Sequence, residues 1–296
     1  MLLRHLRYFL AVVEHRNFTR AASALHVSQP ALSQQIKQFE ESLGTRLFDR
    51  SGRSIALTDA GDIYADYARR VLRELEEGKR AIHDVSDLSR GTLRIAITPT
   101  FTPYLIGPLV RRFHQRHANI RVQIEEMSQE RMEERLLDDD FDLGIAFEEV
   151  HHPDIESRFL LEERLALVIN REHPLAGQQR LDAQILGSLS LVLLNGEFAT
   201  REQIDRYCRQ HDLQPRVMME ANSVNAVIEV VRNTPLASLL PAQLTQERED
   251  LVALTLTPAE LKRTAVLLLR KGAYQSAAAR AFMTLAEPIS APERPC

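Results

Sequence analysis

The chain has little cysteine: Cys208 and Cys296 are the two it holds in 296 residues, too few and too far apart in sequence for a disulfide framework. A reducing cytoplasm is the simpler setting for such a chain. No stretch approaches the roughly twenty consecutive apolar residues of a membrane-spanning helix, so no membrane partner is expected. The opening MLLRHLRYFLAVVEH has one uninterrupted apolar run, Tyr8 to Val13, which Glu14 and His15 end. That is short for a signal peptide and reads better as an amphipathic helix. There is no low-complexity tract, no internal repeat, and no Walker-type or dinucleotide-binding glycine loop. His114 and His117 lie three apart on a helical pattern and His151 and His152 are adjacent, but neither pair has acidic or cysteine neighbours at ligand spacing. Ser188, Ser190 and Ser238 lack the context of a nucleophile elbow. No catalytic residue, no metal and no cofactor is therefore expected, and the enzyme reading is the weaker one.

What is present between Phe18 and Thr58 is a helix, a tight turn, a second helix and a basic hairpin. Asn17 is placed to cap a helix from Thr19 to Leu25, with Ala21, Ala22 and Leu25 as its small apolar face. His26, Val27 and Ser28 form the turn. Ser28 is then the cap of a second helix with Pro30 in its first turn, where a missing N–H is harmless. Ala31, Leu32, Ile36, Phe39 and Leu43 supply its inward stripe, and Gly44 stops it. Gln29, Ser33, Gln34 and Lys37 fall on the outward, N-terminal side, where short and amide side chains suit base edges and phosphates in a major groove. Arg46 to Arg50 and Ser54 to Leu57 read as a strand pair around Ser51-Gly52-Arg53, a wing whose Arg50 and Arg53 would meet phosphates or a minor groove. A plain helical hairpin with solvated polar positions fits the helices taken alone. Charge argues against it: residues 1–58 hold eight Lys/Arg and four Asp/Glu, a net of +4, while the chain is −4, so the remainder is −8.

From Asp59 to about Ser89 there is no proline, and Tyr64, Ala68, Val71, Leu75, Gly78, Ile82 and Val85 recur at alternating steps of four and three. The pattern fits a short coiled-coil seam or a helix packed on its own chain. Beyond Gly91 strands and helices alternate. Strands are predicted at Thr92–Ile97, Ile120–Glu125, Leu143–Phe147, Ala166–Ile169, Ser190–Leu194, Arg216–Met219, Leu236–Pro241 and Thr264–Leu269, with helices from Tyr104 to His117, Glu130 to Asp138, Thr200 to His211, Val224 to Arg232 and Ser276 to Leu285. This βαβ order implies an α/β fold with a mainly parallel sheet covered on both faces, and a frayed tail from Pro288. Two such series with two chain crossings make two lobes and a cleft. Strand ends followed by helix starts place Thr98, Thr100, Ser128, Gln129, Thr200 and Asn222 around that cleft, with Arg201 as counter-charge, and four such loops converging fit a small anion. Each loop taken singly is an ordinary helix cap.

The residues carry a family resemblance. Tyr8-Phe9-Leu10-Ala11-Val12, Phe18-Thr19-Arg20-Ala21-Ala22, Leu25 to Ser33, Glu40, Leu43-Gly44, Leu47-Phe48-Asp49-Arg50 and Leu57 to Gly61 resemble the LysR-type transcriptional regulators, over essentially the full length. The resemblance implies an N-terminal winged helix-turn-helix over 1–58, a linker helix over 59–89 that pairs with a second subunit through Tyr64, Val71, Leu75 and Ile82, and a periplasmic-binding-protein-like α/β effector domain over 90–296. Lobe I would span about 90–161 and 266–290, and lobe II about 162–265. It further implies that Gln29, Pro30, Ser33, Gln34 and Lys37 face double-stranded operator DNA with Arg50 and Arg53 on the wing, in a homodimer or homotetramer that engages RNA polymerase. Many members have arginine where this chain has Gln34. Segments 78–85, 98–101, 126–130, 144–147, 197–205 and 263–268 are similar to members that activate cyanate-degradation operons, which implies cyanate as effector and azide as its mimic.

Overall fold

The computed structural model describes residues 3–49, 55–84, 91–246, 248–258 and 260–290. The chain divides into two compact units, Met1–Val85 and Ser86–Cys296.

The first unit is helical. Helices α1 (Leu3–His15), α2 (Phe18–Ala24) and α3 (Gln29–Leu43) are followed by the two-residue strands β1 (Phe48–Asp49) and β2 (Ala56–Leu57), which pair antiparallel, and by α4 (Asp59–Asp84). The caps are those the sequence calls for. Asn17 accepts from the Arg20 N–H at 3.0 Å, Ser28 from Ala31 at 3.4 Å, and Gly44 ends α3 with φ of 70°, a left-handed conformation that glycine adopts without strain. Leu6, Phe9, Val12, Ala21, Leu32, Ile36, Phe39 and Phe48 form the core, to which α4 contributes Ala65 and Ala68. Ala31 lies exposed and outside the inward stripe. The buried Glu40 carboxylate accepts from the backbone N–H groups of Leu47 and Phe48, at 2.8 and 3.1 Å, and so ties the end of α3 to β1. Arg50 and Arg53, with the wing tip Ser51-Gly52, lie outside the described residues.

The second unit contains β3 (Gly91–Ile97), α5 (Gly107–Arg116), β4 (Ile120–Glu126), α6 (Gln129–Leu137), β5 (Leu143–Phe147), β6 (Ile155–Asn170), β7 (Arg180–Asp182), β8 (Ser190–Leu194), α7 (Ala199–Gln210), β9 (Arg216–Ala221), α8 (Val224–Asn233), β10 (Ser238–Pro241), β11 (Leu251–Thr257), β12 (Leu261–Arg270) and α9 (Ala277–Ser290). The α/β class holds, but the sheet is mixed and not mainly parallel. β3 pairs parallel with β4 and β5, and β8 parallel with β9, whereas β12 runs antiparallel to both β5 and β6, and β6 antiparallel to β10 and β11. β6 and β12 are the two crossings. β6 pairs with β12 from Ile155 to Leu165 and then with β10 and β11 up to Asn170, so one strand serves both halves.

Only Ala166–Ile169 of β6 is apparent as an apolar run, because Arg158, Glu162, Glu163 and Arg164 interrupt it. Glu162 and Glu163 pair across to Lys262 at 3.1 Å and Arg263 on β12, Arg164 pairs with Glu260 just before β12 at 3.3 Å, and Arg158 pairs with Glu156 of its own strand. The expected helix from Tyr104 begins as a widened π turn at Thr102–Ile106 and becomes α5 only at Gly107. Pro108 has no N–H to give the Tyr104 carbonyl, so the regular helical ladder opens there. α9 runs through Pro288 to Ser290, in place of a tail starting at Pro288. One half has its core around Leu93, Ile95, Phe113, Ile145, Leu267 and Phe282; the other around Leu167, Leu193, Ile204, Leu239 and Leu254.

Candidate functional site

In the first unit the exposed surface of α3 carries the expected polar set. Gln29, Pro30, Gln34 and Lys37 are exposed and Ser33 is half-buried. Gln29, Ser33 and Gln34 make no side-chain hydrogen bond among the described residues, while the neighbouring Gln35 accepts from Arg4 at 3.0 Å and donates to Gln38 at 2.9 Å. Lys37 lies 3.9 Å from Glu41, both well exposed, a pairing weak enough to give way to a phosphate. The amides and hydroxyl are therefore free to meet base edges.

Along α4 the structure divides the expected seam. Tyr64 turns into the core of its own unit, edge-on to Phe39 with ring centroids 5.5 Å apart, and burial raises its phenol pKa; Ala68 is buried beside it. Val71, Leu75 and Ile82 are exposed, and Ile63 and Tyr67 join them on the same stripe with 63% and 59% of their surface open. Steps of four from Ile63 through Tyr67, Val71 and Leu75 keep these side chains on one face.

In the second unit a cavity of about 430 Å³ opens where five strands end. Thr98, Pro99 and Thr100 follow β3, Met127 to Arg131 follow β4, and Phe147 closes β5. Gly196 to Thr200 and Glu202 come from the loop after β8 and the start of α7, and Asn222 follows β9. Of the seven residues expected there, Thr98, Thr100, Ser128, Gln129, Thr200 and Asn222 line it. The bland role of helix cap is open to few of them. Thr98 and Ser128 precede helices without a side-chain capping bond, and α7 follows Phe198, which has no side chain able to cap. Ser223 alone in these four loops caps its helix, accepting from Ala226 at 3.4 Å. The Thr100 hydroxyl is buried with no partner among the described residues. Four charged side chains at the rim, Glu130, Arg131, Glu197 and Glu202, are all exposed.

Two expected contacts are placed differently. Arg201 is not among the lining residues: its guanidinium donates to Asp205 at 2.9 Å, Glu220 at 2.6 Å and the Leu194 carbonyl at 3.0 Å, so it braces the start of α7. Gln129 lines the cavity, yet both ends of its amide are occupied, accepting from Phe147 N–H at 3.0 Å and donating to the Phe147 and Glu149 carbonyls. It holds the end of β5 in place. The basic group the sequence reading missed is Arg263 on β12. It is 6% exposed, pairs with the fully buried Glu163, donates to the Thr200 hydroxyl at 2.6 Å and lies over the Phe147 ring at 4.0 Å. Glu163 in turn accepts from the Tyr104 hydroxyl, whose pKa burial and the adjacent carboxylate push well above its ordinary value. Arg263 stands one residue before the predicted strand Thr264–Leu269 and Glu163 outside any predicted strand, so the sequence carried no local signal of the pair.

Two separate units, one with a grooved-DNA reader's helix pair and one with a ligand-sized cleft, define a DNA-binding regulator. Residues 3–62 match the bacterial regulatory helix-turn-helix protein, lysR family, and residues 86–288 the LysR substrate binding domain. The chain belongs to the LysR family of DNA-binding transcriptional regulators. It is 31% identical over 283 residues to the RuBisCO operon transcriptional regulator of Allochromatium vinosum, covering 95% of this chain and 93% of that one. It is also 31% identical to the hydrogen peroxide-inducible genes activator of Pectobacterium carotovorum subsp. carotovorum, covering 92% and 91%. Among solved structures, full-length CbnR complexed with its target DNA superposes with a TM-score of 0.66 at 24% identity over 98% of this chain and all of that one, a likeness of fold. These relatives are regulators and not enzymes. Among the described residues no helix is long and apolar enough to cross a membrane.

Proposed function

We propose that this chain senses a small anionic metabolite in the cleft of its second unit and passes that occupancy to operator DNA held by Gln29, Pro30, Ser33, Gln34 and Lys37, with Arg50 and Arg53 on the wing. The observation that carries the reading is the convergence of Thr98, Thr100, Ser128, Thr200 and Asn222 on one cavity, with the Thr100 hydroxyl buried and without a partner among the described residues. A buried polar group without a partner costs free energy unless a ligand or water completes it. The cavity volume falls in the range of small-molecule sites. Ligand binding between the halves favours one arrangement of them. In a homodimer or homotetramer paired along α4, that arrangement changes the spacing of the DNA readers and the bend of the operator, and RNA polymerase engages the promoter as a result. The chain acts as an activator in this scheme, in the cytoplasm.

Cyanate, with azide as its mimic, is the specific effector implied by the resemblance of segments 78–85, 98–101, 126–130, 144–147, 197–205 and 263–268 to regulators of cyanate-degradation operons, while the relatives matched above are regulators of other genes. The similarity to the Allochromatium vinosum regulator supports a second reading, in which the operon controlled is that of RuBisCO. A cavity of about 430 Å³ holds far more than a triatomic anion, which favours an organic anion for that second reading. Footprinting of the purified chain on the promoters of a cyanate-degradation operon and of a RuBisCO operon, with cyanate or azide titrated in, separates the two. Protection that shifts with cyanate, and a roughly ten-fold or greater rise in the concentration needed by Thr100→Val, is the expected result for the cyanate reading. Protection indifferent to either anion would remove that effector, and calorimetric titration of cyanate into the chain would tell an unbound anion from a bound but silent one.

A further inference from the structure

Arg263 and Glu163 stand directly opposite one another on β12 and β6, the two strands that cross between the halves of the second unit. The guanidinium is always charged and has only hydrogens to give. One N–H goes to Glu163, another to the Thr200 hydroxyl oxygen at 2.6 Å, and the remaining terminal nitrogen is buried with no partner among the described residues. Because Thr200 accepts from a group that cannot accept in return, its own proton must point elsewhere. No acceptor for it lies within hydrogen-bond distance among the described residues, and Thr200 lines the cavity. The order Tyr104, Glu163, Arg263, Thr200 places the positive end of the buried pair toward the cavity and the negative end toward Tyr104. Thr100, buried and without a partner among the described residues, adds a second hydroxyl to the same wall.

We propose that Arg263 is a positioning residue for the effector: it fixes the Thr200 hydroxyl as a donor and so selects a ligand group that only accepts, a carboxylate or similar anion, over a neutral amide of the same shape. The inference rests on the reading of the cleft as the effector site. It also orients the ligand. The anionic group lies on the inner wall at Thr200 and Thr100, and the rest faces a rim where Glu130, Glu197 and Glu202 outnumber Arg131, so that end is neutral or cationic.

The test compares acetate with acetamide, two probes of nearly equal shape, by calorimetry on the full chain, with azide and cyanate as further anions. The unsubstituted chain is expected to prefer acetate by roughly ten-fold or more, the worth of a charge-assisted hydrogen bond. Thr200→Val and Arg263→Met should each bring the two probes to near parity, and Arg263→Lys, which keeps a charge and a donor, should restore part of the preference. Thr200→Val leaves the buried ion pair in place, so it carries the test if Arg263→Met does not fold, as circular dichroism will show. Binding of acetate that Thr100→Val weakens, with its preference over acetamide intact in Thr200→Val, and in Arg263→Met where that variant folds, overturns the role of Arg263 while the cleft remains the effector site. Failure of the unsubstituted chain to bind acetate, azide or cyanate overturns both.

Discussion

Gly61 stands at the first turn of α4 with no room for a side chain: a Cβ there would lie 2.0 Å from the Leu47 carbonyl oxygen, a backbone atom that cannot swing away. Gly61→Ala is therefore expected to separate α4 from the β1 end and to cost about 3 kcal/mol, the upper part of the usual range for overpacking, read as a fall in the unfolding midpoint of the first unit. Glu163→Ala should cost as much or more, about 3–5 kcal/mol, because it leaves the Arg263 guanidinium buried without its counter-charge; Glu163→Gln, which keeps a hydrogen-bond acceptor, should cost less. Denaturant midpoints on the full chain check the order, and equal losses for the two would mean that the hydrogen-bond acceptor is immaterial and the lost charge carries the whole cost. Both residues make the same point about single positions. A close approach or a buried pair is a property of two segments distant in sequence, 100 residues apart for Glu163 and Arg263, and neither segment alone displays it.

At the level of elements, α3 separates stability from recognition. Ser28→Ala removes a cap whose bond is long at 3.4 Å, so it should cost about 0.5–1 kcal/mol of stability. Ser33→Ala and Gln34→Ala should leave stability unchanged and weaken operator binding by about 1–3 kcal/mol each, measured by titration at fixed salt. Unchanged affinity in both would place base reading elsewhere. α2 and α3 were legible because each carries its own signals: Asn17, Ser28 and Gly44 as punctuation and a stripe of period near four. The cleft loops were legible for the same reason, since strand ends and helix starts are local. β6 was not, because its charged residues are satisfied by β12 and Glu260, partners a strand pattern does not reveal. The same holds for Arg201, which sits where a ligand-binding cation would but is held by Asp205 and Glu220.

For the whole molecule, the exposed stripe of Ile63, Tyr67, Val71, Leu75 and Ile82 is the surface on which the proposed dimer depends. Replacing Val71 and Leu75 together with Asp should lower the sedimentation mass of the full chain and abolish simultaneous occupancy of two half-sites, whereas the same change at Tyr64 should unfold the first unit instead. An unchanged mass would mean that the stripe is covered by something other than a second copy. The crossing of β6 and β12 also bears on how the chain is made. β12 lies between β5 and β6, and α9 packs Phe282 on Phe113, so the half that begins at β3 lacks a central strand and a covering helix until the last segment is synthesised. A ribosome releases the chain from its N-terminus at a few to some twenty residues per second. The helical first unit can close early, the half built from β7 to β11 can follow, and the half that starts first must finish last. Nascent chains halted before Leu261 should accordingly be cut by protease within β3 to β5 while the helix-turn-helix resists.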